Sequence, residues 1–255
     1  MPQHVPPETC DVIIDHLHDD PDALRACSLV SKSWINRSRE HLFNEIEFQD
    51  RSQFLLWKTY FPDPSNSPAH HAKFLSFGRT TIKAYVGFLE SFTNLTYLQV
   101  WVDDPGGCEP GPNVSYNLLP TLTTLCVRFS AIKPSQLFAL VGSFPSIKDL
   151  VVSGDWISDY GDNFLPSTLP ELTGILVLDC KHNDITGLLL RLPARALCFQ
   201  KIVWGINSLR NEHGVQHMIN LIERCSDTLE YIDFNYHSRY GGESCQFGSR
   251  DGFGI

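Results

Sequence analysis

The residues able to do chemistry in this sequence are scattered rather than grouped. Eight cysteines stand at positions 10, 27, 108, 126, 180, 198, 225 and 245, with no CxxC pair among them. His16 and His18 flank Leu17, and His70 and His71 are adjacent. Neither pair has Cys or carboxylate partners at the spacing of a zinc site. Asp19, Asp20 and Asp22 lack the alternating oxygen pattern of a calcium loop. Stopping one helix and capping the next accounts for them better. Cys126 and Cys180 have no partnered His in view, which makes them structural thiols rather than nucleophiles. No GxSxG, P-loop or GxGxxG segment occurs. These residues imply no catalysis, no cofactor and no metal. Recognition of another molecule is left as the function class.

Charge and composition narrow that molecule. Twenty Lys and Arg stand against 29 Asp and Glu, a net charge of −9. A field of that sign repels phosphate backbones, so nucleic acid is not an expected partner. No apolar run approaches the roughly 18 residues that a membrane helix needs, so a membrane is not expected either. The start, Met1-Pro2-Gln3-His4-Val5-Pro6-Pro7, has no basic region followed by an apolar stretch, and no secretory signal is read there. Reduced thiols in the cytosol and/or the nucleus are the corresponding expectation. The sequons at Asn36, Asn94 and Asn113 are then chance matches. The 255 residues, 42% of them apolar, suit one large domain or a small one before a larger.

The elements that position these residues fall into two kinds. Residues 5–48 read as three short helices. Cys10, Ile13, Ile14 and Leu17 share one helical face, with Pro6 and Pro7 before it and Glu8 in its first turn. Asp19-Asp20-Pro21-Asp22 ends that helix and opens a second, which carries Leu24, Cys27 and Val30. A third follows Ser31-Lys32-Ser33 through Trp34 to Leu42. So small a unit has a very small core and needs docking support. Residues 49–70 are a break, with a short helix from Arg51 to Phe61 and a Pro-rich loop at 62–68.

Residues 71–236 carry an internal repeat, apolar-x-x-apolar-x-apolar. It reads Leu95-x-x-Leu98-x-Val100, Leu122-x-x-Leu125-x-Val127, Ile147-x-x-Leu150-x-Val152 and Leu172-x-x-Ile175-x-Val177. Weaker copies start at Phe199 and Leu229, and looser ones at Phe43 and Ala72. Position nine, where a small polar residue bonds a turning backbone, holds Cys180 and Asn207 in two copies and Asp103, Ser130 and Asp155 in three others. Helical stretches fall between the copies at 81–92, 134–144, 184–192 and 212–225. Strand and helix alternate once per unit, as a solenoid with a parallel sheet requires. The alternative is an ordinary βαβ sheet. Residues 237–255 are Gly-rich, patternless and read as disordered, so the apolar edge of the last repeat is expected to stay open.

Within each strand, residues between the inward apolar positions point the other way. That places Tyr97, Gln99 and Trp101 on one strip, followed by Thr124, Cys126 and Arg128, then Asp149, Val151 and Ser153. Further along come Lys201, Tyr231, Asp233 and Asn235. Aromatic and Arg side chains exposed together form binding hot spots. Tyr97, Gln99, Trp101, Arg128 and Asp149 are therefore the candidates for holding a protein partner, and a solvated sheet face is the competing reading.

The N-terminal segment resembles an F-box. The likeness rests on Val5-Pro6-Pro7-Glu8, Ile13-Ile14 and Leu17, Asp20-Pro21-Asp22-Ala23-Leu24, Cys27-Ser28-Leu29-Val30-Ser31-Lys32-Ser33-Trp34 and His41-Leu42-Phe43. It departs where the family opens Leu-Pro and this chain has Val5-Pro6, and where a Cys commonly follows Ser-Leu-Val and Ser31 stands here. With the repeats behind it, the chain is similar to leucine-rich-repeat F-box proteins of the fungal kind. The resemblance implies an α/β leucine-rich-repeat solenoid behind a three-helix F-box. It also implies a non-catalytic substrate receptor of a cullin–RING ubiquitin ligase, with the repeats holding an unknown protein substrate. The residues facing the Skp-family adaptor, and through it a cullin, would include Val5, Pro6, Ile13, Leu17, Leu24 and Leu29. Trp34 and Val30 fit core or interface equally. A repeat scaffold with no ligase role is the other reading.

Overall fold

The structure, a computed structural model, describes residues 6–79, 86–102, 119–157, 169–180, 185–205 and 212–235. Three helices open it: α1 (Pro7–Asp15), α2 (Pro21–Val30) and α3 (Lys32–Leu42). The Asp20 carboxylate caps α2 by accepting from the N–H groups of Asp22 and Ala23, with Pro21 in the first helical position. Ser31 stays extended and caps α3 through the Ser33 N–H. The helices share a core of Ile14, Leu24 and Cys27, with Leu17, Trp34 and Leu42 packed against it.

So small an apolar core is helped by a polar clamp. Arg37 on α3 grips Asp15 at the end of α1 with two hydrogen bonds, Nε to Oδ1 at 2.5 Å and Nη2 to Oδ2 at 2.8 Å. His41 Nε2 lies 2.8 Å from the same carboxylate. A planar fork on a planar carboxylate fixes geometry as well as charge. The Arg37 hydrogen bonds, and after them that of His41, hold the Asp15 carboxyl well below the usual carboxylate range.

The rest is one parallel sheet with its eight strands in chain order. They are β1 (Glu45–Phe48), β2 (Phe74–Arg79), β3 (Tyr97–Val102), β4 (Thr124–Ile132), β5 (Asp149–Ile157), β6 (Ile175–Cys180), β7 (Lys201–Gly205) and β8 (Tyr231–Asn235). Alternate side chains of each strand enter the core. Leu98 and Val100, Leu125 and Val127, Leu150 and Val152, Leu176 and Leu178, and Ile202 and Trp204 are each no more than 2% exposed. Helical segments cover that face: α4 (Arg51–Tyr60), α5 (Val86–Leu89), α6 (Pro134–Gly142), α7 (Ile185–Leu189) and α8 (Glu212–Arg224). Phe54, Leu89, Leu137, Leu188 and Leu221 join the strand residues in a single apolar core.

Two boundaries move. The sheet begins at Glu45, inside the stretch 5–48 read as helical, because Ile46 and Phe48 alternate inward like every later strand. The segment 49–70 is more than a linker, since Phe54 of α4 lies in the main core and Trp57 packs on it. Its Pro-rich part forms short 3-10 turns at Pro64–Asn66 and Pro68–His71, and α3 rests on the second.

The fourth repeat is shifted by one residue. Leu176 and Leu178 point inward, whereas Ile175 is exposed and Val177 half-buried. Leu150 pairs with Leu176, not with Ile175. Leu172 is still buried and bridges Leu197, so the chain carries one extra residue between Leu172 and the strand. The shift also moves Cys180. It pairs with Gly154, which pairs with Phe129, so it is an inward strand residue and not the turn residue of position nine. Ser130 and Asp155 are exposed, and Asp103 and Asn207 lie outside the described residues.

The clamp predicts acid sensitivity of α1. Its carboxyl is depressed in the folded state, so its contribution is complete above about pH 5 and fades as pH falls toward the folded value. About two-fifths of the Asp15 side chain is open to water, so the contribution is screened to roughly 1 kcal/mol or less. The amide-exchange protection factors of residues 7–17, which remove the intrinsic pH dependence of exchange, should fall between pH 6 and pH 3.5 in the wild type. In Asp15→Asn they should be lower at pH 6 and fall less on acidification. Equal pH dependence in the two proteins would exclude the clamp.

Candidate protein-recognition surfaces

The first surface is the outside of the three-helix unit. Leu29 is 87% exposed, Val30 67%, Val12 54% and Ile13 44%. Pro6 is exposed as well. Pro6, Ile13 and Leu29, named as adaptor-facing, are thus on the surface. Leu24 is not, being 1% exposed and inside the helical core. Leu24 and Cys27 are three residues apart on α2, which puts both on the face toward α3. Leu17 is half-buried against the same core, and Val5 lies outside the described residues. Trp34 packs on the core and Val30 does not, which separates two residues that spacing left together. Val12 and Val30 were not in the adaptor-facing set. Val12, two residues from the buried Ile14, falls on the opposite side of the helical wheel, whereas Val30 is three residues from Cys27 and is exposed as the last residue of α2, which spacing does not signal.

The second surface is the outer face of the sheet. Trp101 pairs with Arg128 on adjacent strands, and both are half-buried. Tyr97 stacks on Phe74 at 4.7 Å, and Gln99 donates to the Ser76 hydroxyl at 3.0 Å. Lys201 Nζ sits 4.8 Å over the Tyr231 ring. Cys126 points to this face but is 1% exposed, so neighbouring side chains close over it. In register with it run Val151, Val177 and Val203, half-buried, across β5, β6 and β7. Asp179, also on this face, has its Oδ1 enclosed with no hydrogen-bond partner. Val177 and Asp179 are hidden from the sequence by the one-residue shift, whereas Val203, between the inward Ile202 and Trp204, faces outward by the repeat itself and is simply not among the residues named. The run Leu176, Leu178, Cys180 contains the correct alternation.

Asp149 belongs to the fold rather than to a partner. Its Oδ2 accepts from the Thr124 hydroxyl at 2.9 Å, and its Oδ1 accepts from the Ile175 N–H at 2.7 Å. The extra residue of the fourth repeat has displaced that N–H from the strand ladder, and the carboxylate receives it instead. A Cβ at Gly174 would fall on Asp149 Oδ1, so only glycine lets the carboxylate in.

Burial, and then the neighbouring Asp179 charge, push the Cys180 thiol far up, so it stays protonated. Its Sγ–H lies 3.7 Å from the Val152 carbonyl. Burial first, then His70, lower the basicity of His71. Among the described residues, no group of three or more His, Cys, Asp or Glu is placed to hold a metal, and no helix is long and apolar enough to cross a membrane.

Asp149→Ala should lower unfolding stability by about 1–3 kcal/mol, toward the low end because water reaches Ile175. Gly174→Ala should cost a similar amount by expelling the carboxylate. The two act on one contact, so the double variant should cost clearly less than the sum. Chemical denaturation of the four proteins measures this, and strict additivity would remove the clamp. Compared with protein-family models and with curated proteins, the chain matches none.

Proposed function

We propose that the chain is the substrate-recognition subunit of an SCF-type cullin–RING ubiquitin ligase. In this reading the three helices are an F-box that binds a Skp-family adaptor, and through it a cullin. The sheet is a leucine-rich-repeat solenoid that holds the protein to be modified. The observation that carries the reading is the exposure of Leu29 and Val30 at the end of α2. A unit whose own core is three residues and their flanks leaves Val12, Ile13, Leu29 and Val30 in water, the arrangement of a surface completed by a partner. The sequence order that resembles an F-box supplies the kind of partner. The sequential parallel sheet, one strand per repeat, supports the solenoid.

The mechanism is positioning, without chemistry of its own. A receptor that binds the adaptor at one end and a substrate on its sheet raises the effective concentration of a substrate lysine near the charged ubiquitin carrier. The place of action that goes with it is the cytosol or the nucleus.

Leu29→Glu and Val30→Glu test the adaptor contact, since residues so exposed can change without disturbing the helical core. Each should weaken capture of a recombinant Skp-family adaptor by at least tenfold, the cost of about 1.4 kcal/mol or more at an apolar contact. Circular dichroism and unfolding midpoint should not move. Capture by the double variant at wild-type strength would overturn the reading.

A further inference from the structure

We infer that the outer face of β5, β6 and β7 takes a basic, aliphatic segment of the partner protein, with Asp179 receiving its Lys or Arg. The inference rests on the reading of the sheet as the substrate-holding part and names the class of segment held. Three observations carry it. First, Val151, Val177 and Val203 stand side by side in register on three adjacent strands, each half-buried. They form an aliphatic strip with polar residues on both sides, the apolar centre and polar rim of a recognition surface.

Second, Asp179 lies two residues beyond Val177 on the same face, about 6.6 Å along the strand. One of its oxygens is enclosed and has no hydrogen-bond partner. Gly205 packs against it, a Cβ there being 2.5 Å from Asp179 Oδ1. The carboxylate is therefore partly stripped of water without a compensating donor. Such a charge gains more from an incoming cation than a hydrated one does.

Third, the surrounding charge is net negative. Asp155 on β5 and Asp233 on β8 flank the strip. Two cations border the strip as well, Arg128 on β4 in register with Ser153 and Lys201 two residues before Val203 on β7, and the outward carboxylates Asp149, Asp155, Asp179 and Asp233 outnumber them four to two. An acidic margin on an aliphatic strip complements a segment that carries Lys or Arg one or two residues from Val, Ile or Leu. It opposes an acidic segment, in a chain whose net charge is already −9.

The test pans a random heptapeptide library against the full chain, with Asp179→Lys as a second target. Enriched peptides are then titrated by fluorescence anisotropy. The wild type should enrich peptides with Lys or Arg near an aliphatic residue, and Asp179→Lys should turn the preference toward Asp or Glu. The basic peptides should bind Asp179→Asn and Val177→Ser about tenfold more weakly. Enrichment of peptides without a cation, no enrichment, or unchanged affinity in Asp179→Asn would each overturn the inference. Should the Asp179 variants fail to fold, Ser153→Lys places a cation beside the carboxylate on β5, and unchanged affinity there overturns it equally. Adaptor capture is measured on the same samples. Its loss with peptide binding intact counts against the ligase reading alone, and the converse counts against this inference alone.

Discussion

At the entry to each strand, one backbone carbonyl receives two N–H groups from the next repeat. Asn44 accepts from Lys73 and Phe74, Lys73 from Thr96 and Tyr97, Thr96 from Thr123 and Thr124, and Thr123 from Lys148 and Asp149. Gly174 and Gln200 do the same for the strands after them. These shared acceptors set where every strand begins relative to the one before. A one-residue slip would turn its apolar set to water. The exception tests the rule. Lys148 accepts only from Gly174, because the fourth repeat is one residue longer. The Ile175 N–H that should have come to it goes to the Asp149 carboxylate. The register is thereby restored, and Leu176 still meets Leu150.

That exception marks how far the fold can be read from sequence. Period-two alternation identifies Leu98, Val100, Leu125, Val127, Leu150 and Val152 as inward, and all are buried. It fails at Leu172-x-x-Ile175-x-Val177, where a fixed template was laid over an insertion. The residue that makes the insertion possible, Gly174, has no side chain to signal it. The same limit applies to Asp149, whose spacing says only that it faces outward. Which outward residues are occupied by their neighbours depends on contacts between strands, such as Gln99 with Ser76 and Tyr97 with Phe74. Polar caps are easier. Asp20 and Pro21 act locally, and sequence alone placed the start of α2 correctly.

The helical unit shows the same division between local and distant causes. Residues three and four apart on a helix must share a face, so the burial of Ile14 beside Cys10, and of Leu24 beside Cys27, follows from spacing. The Arg37–Asp15 contact joins residues 22 apart. No helical period announces it. Yet it orients α1 on α3 where the apolar core is smallest, and with it the surface that carries Val12 and Ile13.

The two ends of the sheet are finished in opposite ways. At β1, Phe48 stacks on Phe77 at 5.7 Å and meets Phe54 and Trp57 of α4 edge-on at 5.6 and 5.7 Å. That aromatic cluster leaves Phe48 3% exposed. At β8, Phe234 holds the inward position that Trp204 holds on β7 and stacks on it at 6.5 Å. Trp204 is 1% exposed and Phe234 43%. Tyr231, on the outer face of β8, and Val215 and Ile219, on α8, are exposed as well. Full burial of a Phe side chain contributes about 1.5–3 kcal/mol, so leaving nearly half of it in water forfeits on the order of 1 kcal/mol. Of the two end strands, β8 therefore opens at the lower cost. A partner held over β5, β6 and β7 would lie on strands buried on both sides by neighbours, where the backbone is most firmly fixed and binding orders least.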